Sequence, residues 1–293
     1  MNNFAVFILT HGRANNVKTY KTLRKYGYTG KIVLIVDDAD KQQKEYIKNF
    51  NNKSDDKKTS VHIFSKKNAI NITDACDNFK NTKSVVYARN YAFKIAKTLK
   101  YDYFLVLDDD YSEFRYAFDN KTKYITAKNK VSNLDKLFSI FLKFYIKTPS
   151  LTLCMAQAGD FIGGAGSNIS KYALQGKFMR KAMNSFFCST KKPFKYLGQL
   201  NDDVNTYVKY GLLGKLMITC PLIRLTQSDT QQQTGGLTDI YLDFGTYTKS
   251  FYSVMIAPAS VKIITMGVNK RRIHHKIKAN ATYPKILSET LKK

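Results

Sequence analysis

Glutamate is almost absent from this chain. Only Glu45, Glu113 and Glu289 occur in 293 residues, against 48 lysines and arginines. Asp and Glu together number 22, so the formal charge is +26. A coding bias toward lysine accounts for Lys over Arg, but it does not deplete glutamate. A one-sided charge of this size repels itself in a compact state and favours a polyanionic partner. Nucleic acid is the first such partner and an anionic membrane surface the second. No strongly amphipathic basic helix stands at either terminus, which places nucleic acid ahead. Cysteine is also sparse: Cys76, Cys154, Cys188 and Cys220 are scattered with no CxxC spacing. That argues against a zinc site or a disulfide framework and for a reducing cytoplasm. No run of about 18 uncharged apolar residues appears, so no membrane insertion is expected. The opening MNNFAVFILTHGR lacks a basic leader, and its apolar run, Phe4 to Leu9, is too short for a signal peptide. It reads as a first strand.

What is present alternates. Apolar runs at Phe4 to Leu9, Lys31 to Val36, Val61 to Phe64 and Phe104 to Leu107 read as strands. Helical spacing fills the gaps at Asn15 to Tyr26, Gln42 to Phe50 and Val85 to Leu99. Repeated β-α-β implies a parallel sheet covered by helices on both faces. After residue 110 the pattern changes. Arg115 to Ala127 reads as a hairpin, Ser132 to Lys147 as an amphipathic helix, and Leu151 to Ala156 and Leu216 to Leu225 as strands. No linker is visible. The expectation is one domain over 1–293, with abutting halves 1–117 and 118–293.

In open α/β sheets, ligands bind beyond the carboxyl ends of the strands. The conspicuous polar residues gather there. The first strand ends in Thr10-His11-Gly12-Arg13, the second in Asp37-Asp38, and the fourth in Asp108-Asp109-Asp110. Three adjacent carboxylates repel one another and call for a compensating cation. Mg²⁺ or Mn²⁺ takes oxygen ligands and shares them with substrate phosphates. If the strand continues, Asp108 and Asp110 point the same way and reach one ion. The competing reading is a solvated strand end.

These residues carry a resemblance. A strand ending in Thr10-His11-x-Arg13, a second ending in Asp37, the helix Ala88-Arg89-Asn90 and the triplet Asp108 to Asp110 resemble a GT-A glycosyltransferase. The resemblance implies an α/β fold of GT-A type, with a mainly parallel Rossmann-like sheet, helices on both faces and a mixed second half. It implies a nucleotide sugar bound near Thr10, His11, Arg13, Asp37, Arg89 and Asp109. It implies Mn²⁺ or Mg²⁺ on Asp108 and Asp110, with His274 or His275 completing the shell. It also implies a carboxylate base opening a later helix, where Asp202-Asp203 stands. Asp203 is preferred as the base, and helix capping is the plainer role for the pair.

The acceptor is read from two features. Basic stretches at Lys18 to Lys31, Lys171 to Lys195 and Lys270 to Lys285 are interleaved with Tyr20, Tyr26, Tyr28, Phe178, Phe186, Phe187 and Tyr283. Basic and aromatic surface together suits nucleic acid. LDDDYSEFRYAF, NDDV and the late Arg-Ile-His-His further resemble the TET-associated DNA glycosyltransferases, the group with base J enzymes and bacteriophage relatives. That implies a UDP-sugar donor, an acceptor 5-hydroxymethylpyrimidine in double-stranded DNA, and a host bacterial cytoplasm. Gly163, Gly164, Lys191, Lys192, Arg271 and Arg272 are assigned to the acceptor side. The alternatives are a GT-A enzyme acting on a surface glycan or lipid, and a non-catalytic DNA-binding protein on the same scaffold.

Overall fold

A computed structural model describes residues 3–52, 56–79, 82–117, 129–157, 181–183, 185–227, 245, 247–266 and 272–283. Its centre is an eight-stranded sheet in the order β3-β2-β1-β4-β7-β6-β8-β5. The strands are β1 (Phe4–Leu9), β2 (Ile32–Asp37), β3 (Thr59–Phe64), β4 (Tyr103–Asp108), β5 (Tyr111–Tyr116), β6 (Thr152–Gln157), β7 (Ser185–Ser189) and β8 (Met217–Gln227). The first four pair in parallel, as expected. The mixed second half is also there: β7 runs antiparallel to β4 and β6, β8 parallel to β6, and β5 antiparallel to β8.

The helices are α1 (Lys18–Lys25), α2 (Gln43–Ile47, continued by a π-turn), α3 (Lys66–Asn71), α4 (Val86–Thr98), α5 (Leu134–Lys147), α6 (Asp202–Leu212), α7 (Thr248–Ile256) and α8 (Ala279–Thr282). Strand alternation sends Val6 and Ile8 into a core with Leu134, Phe138 and Phe141 of α5. Ala5, Phe7 and Leu9 enter a second core with α4 and with Val204 and Val208 of α6. Every residue of β1 and β2 is therefore buried, which is why both read as unbroken apolar runs. A separate antiparallel ribbon, β9 (Val261–Met266) with β10 (Arg272–Ile277), packs against α7.

One expectation is extended and another changes. Arg115 and Tyr116 end β5, whose strand partner is β8. The chain also returns to β5 on its other side: Arg115 bridges Lys130 antiparallel, Tyr116 N–H donates to Asn129 O, and Val131 N–H donates to Phe114 O. The turn expected around Asp119 lies outside the described residues. The aromatics expected on a nucleic-acid surface are mostly core. Tyr26, Tyr28, Phe186 and Phe187 are buried, and Tyr20 meets Phe50 edge-on at 5.0 Å. Phe187 stacks on Phe4 and takes Phe138 and Phe141 at its edges. SFFCS is a five-residue strand set between polar residues, so its burial is hidden by its flanks. Phe178 lies outside the described residues.

Candidate active site

Register brings the polar strand ends together. Leu9 of β1 pairs with Ile35 of β2 and Asp108 of β4, so Thr10, Asp37 and the Asp triplet share one edge. The loop after β1 is closed by groups from the α2 side. Gly12 N–H donates to Asp40 Oδ2 at 2.7 Å, Arg13 N–H to the Tyr46 hydroxyl at 2.8 Å, and Ala14 N–H to Gln42 Oε1 at 2.9 Å. Gly12 has φ +68, a left-handed conformation that costs glycine little. Thr10 Oγ1 donates to Asp109 Oδ2 at 2.7 Å, and Arg13 pairs with Asp109 Oδ1. Thr10, Arg13 and Asp109 thus meet one another and weld the β1 loop to the triplet. Burial pushes the Asp109 carboxyl up, while Arg13 and Thr10 pull it back.

His11 stands half exposed beside Asp37, with Nδ1 at 2.8 Å from Oδ2. That hydrogen bond outweighs partial burial and raises the imidazole above its ordinary 6.5. A histidine raised on folding adds stability at low pH and loses it as pH rises through the raised value. NMR titration should therefore show His11 protonating above 6.5, and Asp37→Asn should move the midpoint down. An unchanged midpoint in the variant would contradict this pairing.

The densest electrostatics lie around Arg89 of α4. Its side chain is buried, with Nη1 at 2.7 Å from Asp202 Oδ2 and Nη2 at 3.1 and 3.2 Å from the two oxygens of Asp108. The guanidinium also faces the rings of Phe186 at 5.4 Å and Tyr196 at 5.8 Å. The next residue fixes the arrangement. Asn90 Nδ2 donates to Tyr196 O, and Tyr196 N–H donates to Asn90 Oδ1. One arginine therefore joins the end of β4 to the start of α6, with Asp202 lying 113 residues beyond Arg89 in sequence. Burial raises Asp202 to about 6, and Arg89 opposes it. Asp203 is more open than Asp202, and its Oδ1 accepts from Val204 N–H at 2.8 Å.

Asp110 differs from its neighbours. β4 stops at Asp108, and Asp109-Asp110 form the turn into β5, so the two outer carboxylates do not alternate along a continuing strand. The turn faces Asp109 toward Arg13 and sets Asp110 beside Gln227. Burial, then Asp108 and Asp109, push Asp110 to about 7, and its Oδ1 is buried without a hydrogen-bond partner. An orphaned carboxylate oxygen held up by two acids suits a divalent cation. Among the described residues no group of three or more His, Cys, Asp or Glu is close enough to hold a metal alone. Asp108 lies close enough to Asp110 for its charge to raise it, while both Asp108 oxygens face Arg89; a divalent ion here would take further ligands from substrate phosphate and water.

The two late histidines have different surroundings. His275 is buried, with Nδ1 at 3.1 Å from Asn201 Nδ2 and Nε2 buried without a partner. Burial lowers it to about 3, with His274, Lys181 and Lys249 adding to the effect. His274 is half-buried, its ring 4.3 Å from that of His275. Asn201 is the junction. It takes the left-handed conformation at φ 54 just before the acidic pair, and its Nδ2 also reaches Lys249 O at 3.0 Å and Ser253 Oγ at 3.2 Å.

Some expected residues are not brought here. Lys191 and Lys192 follow β7 next to Tyr103, at the opposite edge of the sheet from Asp108. Lys192 donates to the carbonyls of Thr148 and Ser150 and lies over the Tyr145 ring. Arg272 is exposed at the start of β10, and Gly163, Gly164 and Arg271 lie outside the described residues. Sequence reasoning missed Asp40, Tyr46, Gln227 and Asn201. Asp40 was within reach, three residues after Asp37. The others act through partners far away in sequence and leave no local pattern.

The end of β4 and the start of α6 thus bring acids together around one buried arginine. Residues 4–236 match the TET-associated glycosyltransferase family, and the chain belongs to it. Among solved structures, the chain is similar to GalNAc-T7, whose crystal structure holds UDP, GalNAc and Mn²⁺, at 13% identity and TM-score 0.41. That alignment covers 78% of this chain and 44% of the other. It is also similar to the glycosyltransferase GlyE of Streptococcus pneumoniae TIGR4, at 12% identity and TM-score 0.38, covering 87% of this chain and 63% of that one. The chain thus spans less than two thirds of either structure's length. A search of curated proteins finds no match. Among the described residues no helix is long and apolar enough to cross a membrane.

Proposed function

We propose that this protein, acting as a single GT-A unit, transfers a sugar from a UDP-sugar to the hydroxyl of a 5-hydroxymethylpyrimidine in double-stranded DNA. The observation that carries the reading is Arg89, which holds Asp108 and Asp202 on one guanidinium and so fixes the triplet against the acidic pair. The nucleotide sugar lies over the strand ends, with His11 and Asp37 on the nucleoside side. Asp108 and Asp110 would hold Mn²⁺ or Mg²⁺, which when bound supplies positive charge to the diphosphate. Asp202 is spent on Arg89, so Asp203 is the carboxylate left to serve as base. Its oxygen takes the proton of the acceptor hydroxyl as that oxygen attacks the anomeric carbon. The bond from that carbon to the diphosphate breaks on the opposite face, the nucleoside diphosphate leaves, and the anomeric centre inverts. The DNA acceptor rests on the family resemblance and on the +26 charge.

The test follows nucleoside diphosphate released by purified protein with Mn²⁺ and a panel of sugar nucleotides, with and without hydroxymethylated duplex DNA. The expected result is release that needs the modified DNA and is lost in Asp110→Ala. Slow release that DNA leaves unchanged would overturn the acceptor and point to glycans or lipids. Tight DNA binding with no turnover on any donor would overturn the enzyme reading.

A further inference from the structure

The β9–β10 ribbon stands outside the main sheet and has two unlike faces. Val261 and His275 are buried on the inner face, against α7 and the Asn201 junction. On the outer face Arg272 lies opposite Met266 and Lys276 opposite Lys262, and all four side chains are exposed. Neither strand contains an acid. Like charges directly opposite across a ladder destabilise it, so the Lys262–Lys276 pair works against the ribbon's own folding. Such a pair is compensated when a polyanion covers it.

We propose that this outer face docks duplex DNA in the major groove. The inference rests on the DNA-acceptor reading and adds the surface that meets the duplex. An antiparallel pair of strands about 4.8 Å apart fits a groove about 12 Å wide. A 5-hydroxymethyl group projects into that same groove. The inner face fits too: His275 meets Asn201, the residue before Asp202-Asp203, and Asn201 meets Lys249 of α7. The ribbon therefore reaches from the groove to the first turn of α6. Lys262, Lys276 and Arg272 take phosphates along the groove, while Met266 lies toward the base edges.

Lys276→Glu and Lys262→Glu each replace the repulsion with an ion pair, so neither should lower the thermal midpoint. Binding is measured on unmodified duplex DNA across a salt series. The expected result is a roughly ten-fold weaker Kd in each variant and a salt slope smaller by about 0.9, one phosphate contact. Wild-type protein should shield guanine N7, a major-groove atom, from alkylation, and both variants should lose that shielding. Lys143→Glu is the control. It is exposed on α5, which packs on the opposite face of the main sheet, and should bind as wild type does. Equal losses in Lys143→Glu would reduce the effect to bulk charge and overturn the inference. Variants that bind as wild type does would also overturn it, leaving the DNA acceptor intact. Wild-type protein that binds no duplex at low salt would overturn both. The release assay above, with hydroxymethylated duplex, reads the acceptor separately.

Discussion

Replacing Arg89 with methionine should cost about 3–5 kcal/mol, the usual penalty for removing one partner of a buried ion pair. Methionine fills much of the volume but leaves Asp202 buried with no cation. The thermal midpoint should fall by roughly 10 °C at about pH 8. The loss should shrink toward about pH 5, and the sign follows from the carboxylate. Asp202 already titrates at about 6, above its ordinary 3.8. A carboxyl raised on folding adds stability below its unfolded value and loses it as pH rises through its folded value. Removing Arg89 raises Asp202 further, so the gap from wild type widens with pH. Arg89→Met/Asp202→Asn should recover part of the loss, because the orphaned charge is gone. A midpoint within about 2 °C of wild type at both pH values would mean that Arg89 does not hold the two acids together.

Asp203→Asn should have the opposite profile. The substitution is nearly isosteric, and the amide oxygen still accepts from Val204 N–H, so stability should change little. Turnover on hydroxymethylated DNA should fall by about 10²–10⁴, the usual contribution of a general base. Affinity for the nucleotide sugar and for duplex DNA should stay within about two-fold. Asp202→Asn is the informative partner. It should lose stability with Arg89 and lose less turnover than Asp203→Asn at a temperature where both are folded. Asp203→Asn with half the wild-type kcat would remove Asp203 from the base role.

β1 and β2 were legible because they are buried on both faces, so Phe4–Leu9 and Ile32–Val36 appear as uninterrupted apolar runs. The acids after them were legible because parallel strands end at one edge. β7 was not legible. It is a five-residue strand, and its two phenylalanines look like surface aromatics when read beside Lys191 and Lys192. β9, β10 and α7 were missed because the ribbon is amphipathic only across paired strands. The role of Arg89 was half legible. Its place in Ala88-Arg89-Asn90 marked it for the site, but nothing local says that it holds Asp108 and Asp202 at once. That contact exists only after α4, β4 and α6 have packed.

The β4–β5 turn also constrains the order in which the protein matures. One arm of the turn, β4, pairs with β1 once the first 108 residues exist. The other arm, β5, lies at the end of the sheet and pairs with β8, through Ile223 to Gln227. During synthesis, Asp110 leaves the ribosome more than a hundred residues before the strand that anchors its far side. Contacts this distant in sequence form late. A nascent chain stopped before Met217 would keep the parallel quartet and the bonds that Thr19 and Thr22 of α1 make to the turn, but it would lack β8 beside β5 and Gln227 beside Asp110. The last neighbour of Asp110 thus arrives when the rest of the turn is already held.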